Sequence, residues 1–252
     1  MKRLLAIVFL LVGVSGFSQE SALSATAVEK VTSLIDLFEN EDRDGIAKRV
    51  VYPLKRDYPL PDITTEFEFV SKFEQLFSPE FSAKISHSVI EEYTDMGWRG
   101  IMFDLGRMWI NEEGNITKVY DQTEAEKKIR ESLINADKKN LHKSVRKYFE
   151  PYAVIKVGDD IWRIDRKNAQ VMRLTQWTAG KTMAEAPDAI LEGTEDIQGT
   201  IRSRVLYFLD KRTKGTITIL MDDLESNVPN QVSITIKDSA ENETTLVGKS
   251  DN

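Results

Sequence analysis

Trp98-Arg99-Gly100-Ile101-Met102-Phe103-Asp104-Leu105-Gly106-Arg107-Met108-Trp109-Ile110 is the stretch on which the fold turns. Two short apolar and aromatic runs flank a tight Asp-Leu-Gly connection, so the segment reads as a β-hairpin. Gly106 suits the left-handed position of a three-residue loop over Asp104 to Gly106. With that loop length, Trp98, Gly100, Met102, Met108 and Ile110 share one face. Arg99, Ile101, Phe103, Arg107 and Trp109 share the other. The first set carries no charge and suits an interior. The second mixes two arginines with three large apolar groups, more apolar surface than a water-facing sheet normally shows. It therefore needs a cover.

Upstream, Phe81, Ala83, Ile85, His87 and Val89 alternate with polar residues, and the spacing predicts a half-buried strand. Before it, Leu23, Ala27, Val31, Leu34, Ile35 and Phe38 recur at helical spacing over 21–38. A shorter helix over Ile46 to Val50, a strand at Val50 to Leu54 and a turn through Pro59 and Pro61 follow. Thr65 and Glu68 make a capping box for a helix carrying Phe69, Val70, Phe73, Leu76 and Phe77, which Ser78-Pro79 ends. Asn115 to Tyr120 completes a four-stranded meander.

Downstream, Thr123 and Glu126 open a helix whose buried stripe should be Ala125, Ile129, Leu133 and Ala136. Leu141 to Phe149 continues this basic connector, which carries Lys138, Lys139, His142, Lys143, Arg146 and Lys147. After Pro151 the pattern is β throughout. Strands are expected at Tyr152–Val157, Ile161–Asp165, Val171–Trp177, Ala189–Gln198, Val205–Leu209, Thr216–Met221, Val232–Lys237 and Thr244–Val247. That spacing suits a sandwich or a barrel.

The order of elements from Ser21 to Tyr120 resembles the cone-shaped α+β fold of the ketosteroid-isomerase-like, or nuclear-transport-factor-2-like, superfamily. Val51-Tyr52-Pro53-Leu54, Phe69-Val70 with Phe73, and the 98–110 hairpin itself carry the resemblance. It implies an α+β class: a helix-on-antiparallel-sheet cone enclosing an apolar cavity, followed by an all-β C-terminal domain. Superfamily members include isomerases, dehydratases, binding domains and assembly factors, so the resemblance implies a cavity and no particular reaction. The expected organisation is a signal peptide over 1–18, the cone over 19–122, a helical connector over 123–150 and a small β domain over 151–252.

The signal is read from Lys2 and Arg3, the apolar run Leu4 to Val14, and the small residues Gly16 and Ser18. The run is too short for a membrane anchor, which wants ~20 apolar residues. Cleavage near Ser18 would export the chain to the periplasm or beyond. The whole chain has a formal charge of −7, and loss of Lys2 and Arg3 makes the remainder more acidic. An acidic surface disfavours nucleic acid as a partner. With no cysteine, and with His87 and His142 as the only histidines, no thiolate or histidine-rich metal site can form and no cofactor is assigned.

Three sets of residues draw attention. His87 is the catalytic candidate, the one polar group on an apolar strand face, with Asp36, Glu91 or Asp95 as conceivable partners. Tyr52, Trp98 and Met102 are expected to line a ligand pocket in the cone. Arg99, Ile101, Phe103 and Trp109 form the expected interaction face, which a homodimer through the cone sheet or the β domain would cover. The leading expectation is an exported, noncatalytic protein that binds a small apolar ligand or an envelope protein. The alternatives are an isomerase, dehydratase or hydrolase using a cavity histidine or carboxylate, and a structural or immunity-type partner.

Overall fold

The computed structural model describes residues 23–198, 203–221 and 230–251; the expected signal peptide lies outside them. The described chain combines six α-helices with antiparallel sheets, one of them a closed eight-stranded barrel. In the front part, α1 (Ala25–Glu39) starts at Ser24, whose hydroxyl accepts from the Ala27 N–H at 3.1 Å, and it buries Ala27, Val31, Leu34 and Phe38. Next come α2 (Arg43–Ala47), α3 (Glu66–Ser71) and α4 (Phe73–Leu76). The expected strand over Val50 to Leu54 is reduced to two isolated bridges, Val50 with Ile116 and Leu54 with Ile63.

The segment expected as a strand over Phe81 to Val89 is instead helical, as α5 (Pro79–Ser86). Ser78-Pro79, read as a stop, is a start. The Ser78 hydroxyl accepts from the Phe81 N–H, and Pro79 occupies the first turn, where its missing N–H costs nothing. Phe81 and Ile85, four apart, then fall on one helical face and are both buried. Four short strands follow in a meander: β1 (Tyr93–Asp95), β2 (Ile101–Phe103), β3 (Met108–Ile110) and β4 (Ile116–Val119).

The hairpin closes one residue later than expected. Phe103 pairs with Met108, so the loop spans four residues, and Met102 pairs with Trp109. Because side chains alternate, this one-residue slip exchanges the faces of one arm relative to the other. Ile101, Phe103, Met108 and Ile110 all point inward and are buried. Met102 and Trp109 point outward.

The helices rest on that inner face, and a chain of rings fills the space between them. Phe38 and Phe69 both meet Phe73, and Phe73, Phe77, Phe81, Phe103 and Tyr93 then follow one another, at centroid separations from 4.6 to 6.2 Å. The interior expected as an apolar hollow is occupied by these rings.

After α6 (Glu124–Asn140), the barrel runs in chain order through β5 (Glu150–Val157), β6 (Asp160–Arg166), β7 (Met172–Trp177), β8 (Ala189–Gln198), β9 (Ser203–Asp210), β10 (Gly215–Leu220), β11 (Gln231–Lys237) and β12 (Glu243–Ser250). Lys249 and Ser250 pair with Lys156 and Ile155, which closes the ring. Trp162, Ile164, Leu174, Leu206, Phe208, Ile219 and Ile234 belong to its buried core, as eight strands leave room for little else. A Cβ on Gly193 would stand 2.0 Å from the Tyr207 carbonyl oxygen and 2.5 Å from a ring carbon of Phe208, so the glycine lets the β9 backbone and that ring approach.

The connector helix inverts its expected pattern. Ala125, Ile129, Leu133 and Ala136, read as the buried stripe, are all exposed. The residues turned inward are Glu126, Arg130, Ile134 and Asp137. Glu126 is bound by Arg56, Arg130 by Glu150 and the Tyr58 carbonyl, and Asp137 by Arg163. The helix is held by ions. After it, residues 141–149 are not helical; Leu141, Val145 and Tyr148 pack with Trp177 over the outside of the barrel.

Candidate functional site

The outer face of the front sheet carries a row read straight across the four strands: Thr94 on β1, Met102 on β2, Trp109 on β3 and Lys118 on β4. The loop joining β2 to β3 rises beside Met102 and Trp109. Asp104, Leu105 and Gly106 have φ of 48°, 54° and 93°, three successive residues in the left-handed region. Glycine adopts that region freely, but an aspartate and a leucine do not. Leu105 is 97% exposed.

The loop is pinned from below. Asp104 accepts from Lys84 and, at 2.9 Å, from Arg107. Arg107 reaches on to Asp121 at 2.6 Å and lies over the Phe81 ring at 4.0 Å. Asp121 in turn accepts from the Ser78 N–H and hydroxyl. Partial burial pushes the Asp104 carboxyl up, but the hydrogen bonds from Lys84 and Arg107 outweigh it and hold the group below its ordinary value. The Trp109 indole N–H donates to the Gly106 carbonyl at 3.0 Å, which fixes the ring beside the loop. A groove of about 190 Å³ runs past Thr94, Met102, Leu105 and the Lys84, Glu92 and Asp104 side chains.

The three residues expected to share a pocket are spread apart. Tyr52 packs edge-on to Phe69 at 6.5 Å, and its hydroxyl donates to the Ala47 carbonyl at 3.0 Å. Burial, with help from Glu66, pushes its phenol up to about 12. Trp98 sits on a one-turn 3-10 segment, Gly97–Arg99, with 63% of its surface in water. Met102 alone lines the groove. Of the expected interaction face, Ile101 and Phe103 are core residues, at 2% and 1% exposure, because of the hairpin slip. Arg99 is exposed on the same 3-10 turn as Trp98, and Trp109 keeps its outward position.

His87 is also displaced from its expected role. It caps the C-terminus of α5 in the open, with Nδ1 donating to the Ala83 carbonyl at 2.7 Å. Its hydrogen-bond partners among the described residues are that carbonyl and the Ser86 hydroxyl at 3.2 Å, and no carboxylate is among them.

Sequence reading passed over a second polar centre, on the outside of the barrel under the connector. Arg163 and Asp165 on β6 face Thr175 and Arg173 on β7, and all four are buried. Arg163 holds Asp137 at 2.7 and 3.0 Å, and Arg173 holds Asp165 at 2.8 Å. Tyr148 donates to Asp137 at 2.6 Å. Burial raises the Asp165 carboxyl above its usual range, against the pull of Arg173 and Arg163. Alternating polar residues on a strand normally mean a solvent face. The covering signal was Leu141, Val145 and Tyr148, an apolar set with no other place to go. Each charge has an opposite charge beside it, although Asp165 Oδ1, Arg173 Nε and Thr175 Oγ1 are buried without a hydrogen-bond partner among the described residues, and the cluster fastens the connector to the barrel.

No family model and no curated protein matches the chain. A solved structure that does match comes from Burkholderia vietnamiensis and is described provisionally as a beta-lactamase. It is 9% identical, covering 39% of this chain and 87% of that one at a TM-score of 0.29. A likeness that slight carries no argument about fold or activity.

Proposed function

We propose that this chain is an exported, noncatalytic protein-interaction protein whose front sheet offers Leu105, Met102 and Trp109 to an apolar segment of an envelope partner. Leu105 is the observation that carries the reading. A leucine held at φ 54° and 97% exposed strains the backbone by about 1–2 kcal/mol and returns no packing. Strain of that kind is kept where it is used. The Lys84–Asp104–Arg107–Asp121 network already immobilises the loop, so docking would lose little further entropy.

At the front sheet, size favours a protein partner over a small ligand. The outer groove, at about 190 Å³, falls below the ~300–1,000 Å³ of small-molecule sites, and rings occupy the front interior. Export is supported by Lys2, Arg3, the apolar run to Val14 and the small residues Gly16 and Ser18. Kinship with the ketosteroid-isomerase-like superfamily stays a proposal, supported by a layer of helices on an antiparallel sheet.

Photo-crosslinking in the producing cell tests the reading. A photoreactive residue at Leu105 should give a discrete adduct with an envelope protein, one at exposed Asp159 should give none, and Trp109→Glu should abolish the first. Labelling that is absent at Leu105, or the same at both positions, overturns it. An adduct with a second copy of the chain would assign the sheet to a homodimer instead.

A further inference from the structure

The connector helix carries a surface that the front-sheet reading does not use. Its inward residues are fully engaged: Glu126 with Arg56, Arg130 with Glu150, Asp137 with Arg163. The helix therefore cannot roll to bury anything else. Alongside that engaged face, Ala125, Ile129, Leu133 and Ala136 stay exposed in one stripe, Ile129 at 39% and Leu133 at 36%. A shallow groove of about 510 Å³ borders the stripe, lined by Lys128, Ser132, Asn135 and Lys139 among others.

Two properties of the stripe say what would cover it. Read in either direction it runs small, large, large, small, so it matches itself when reversed. Its charges reverse as well: Glu124, which also holds its neighbour Lys127 at 2.7 Å, stands in the first turn, and exposed Lys139 stands in the last beside Lys138, which lies over the Tyr148 ring. Antiparallel pairing of two such helices sets acid against base at both ends, whereas parallel pairing sets like against like. A surface complementary to itself under a two-fold axis is what an isologous dimer requires.

We propose that α6 pairs antiparallel with α6 of a second copy of this chain about an axis near Glu131. Ile129 packs on Leu133 of the second copy, Ala125 lies near Ala136, and Glu124 faces Lys139. One helix is a narrow contact beside the ~800 Å² per partner of a standard interface. The dimer is accordingly weak and depends on concentration.

Sedimentation equilibrium of the purified chain, followed from low to high micromolar, reads the association. The expected mass rises toward two chains. Leu133→Asp, at an exposed site, should weaken association by about tenfold or more. Glu124→Lys should also weaken it, and adding Lys139→Glu should restore it. Because the chain has no cysteine, introduced thiols report the geometry cleanly. Ala125→Cys with Ala136→Cys should cross-link two copies on mild oxidation, and Ala125→Cys alone should not. A monomer at every concentration, a dimer indifferent to Leu133→Asp, failure of the charge exchange to restore pairing, or cross-linking by Ala125→Cys alone would each overturn the proposal.

Discussion

Arg163 has no surface in water, and its guanidinium is held by Asp137 at 2.7 and 3.0 Å and by Asp165 at 3.4 Å. Taking the cation away while leaving two carboxylates behind is the expensive way to break such a group. Arg163→Met should lower stability by about 3–5 kcal/mol, read as the urea midpoint. Arg163→Met with Asp137→Asn should recover part of that loss, because one stranded charge has gone. An Arg163→Met variant as stable as the parent would show that the ions contribute nothing. Asp188 makes the opposite case, a charge in the open held by short local bonds. It accepts from Lys181 and from the Thr178 N–H and hydroxyl, which pull its carboxyl down to about 2. A depressed carboxylate stabilises above its unfolded value of ~3.9 and loses that effect as pH falls toward about 2. Protection of the Thr178 amide, its exchange taken relative to the intrinsic rate at each pH, should therefore fall over that window, and in Asp188→Asn it should be low at neutral pH too. Constant protection across the window would remove the carboxylate from the account.

At the scale of elements, the β2–β3 hairpin ties structure to the proposed function. Leu105→Gly removes a side chain that packs on nothing and supplies the residue suited to φ 54°. It should raise stability by about 0.5–1 kcal/mol while weakening partner capture, so stability and binding should move in opposite directions. A loss of stability on Leu105→Gly would mean the leucine packs in solution and would remove the argument from strain. The same hairpin shows where sequence reading works and where it stops. Its existence was legible from two apolar runs around Asp-Leu-Gly, but its register was not, since three- and four-residue loops suit the same glycine. All eight barrel strands were legible, because a long period-2 pattern between turns has few competing readings. Phe81 to Val89 was misread because Phe81 and Ile85 satisfy period 2 and period 4 alike, and Ser-Pro both ends and begins helices. The α6 helix was misoriented by assuming that apolar residues turn inward, when buried ion pairs chose the other face.

For the whole molecule, the question is what makes the front part and the barrel one cooperative body. Their apolar cores are separate clusters, with the small set Leu141, Val145, Tyr148 and Trp177 on the barrel's flank. The described contacts that cross between them are mostly polar: Arg56 to Glu126, Arg130 to the Tyr58 carbonyl and Glu150, Asp137 to Arg163, and Lys55 to Asn230 at 2.5 Å. Polar contacts of this kind depend strongly on geometry, so a few side chains should control the coupling. The parent chain is expected to melt in one calorimetric transition with equal calorimetric and van 't Hoff enthalpies. Arg130→Ala combined with Arg163→Met removes a tie at each end of the second half of α6, and two transitions should then separate, one for each core. If the double variant still melts as a single transition at a lower temperature, the coupling runs through the ties it leaves in place, Lys55 to Asn230 and Arg56 to Glu126, with the apolar contact along 141–149 holding α6 to the barrel. Arg130 and Asp137 would then orient the helix without joining the two halves.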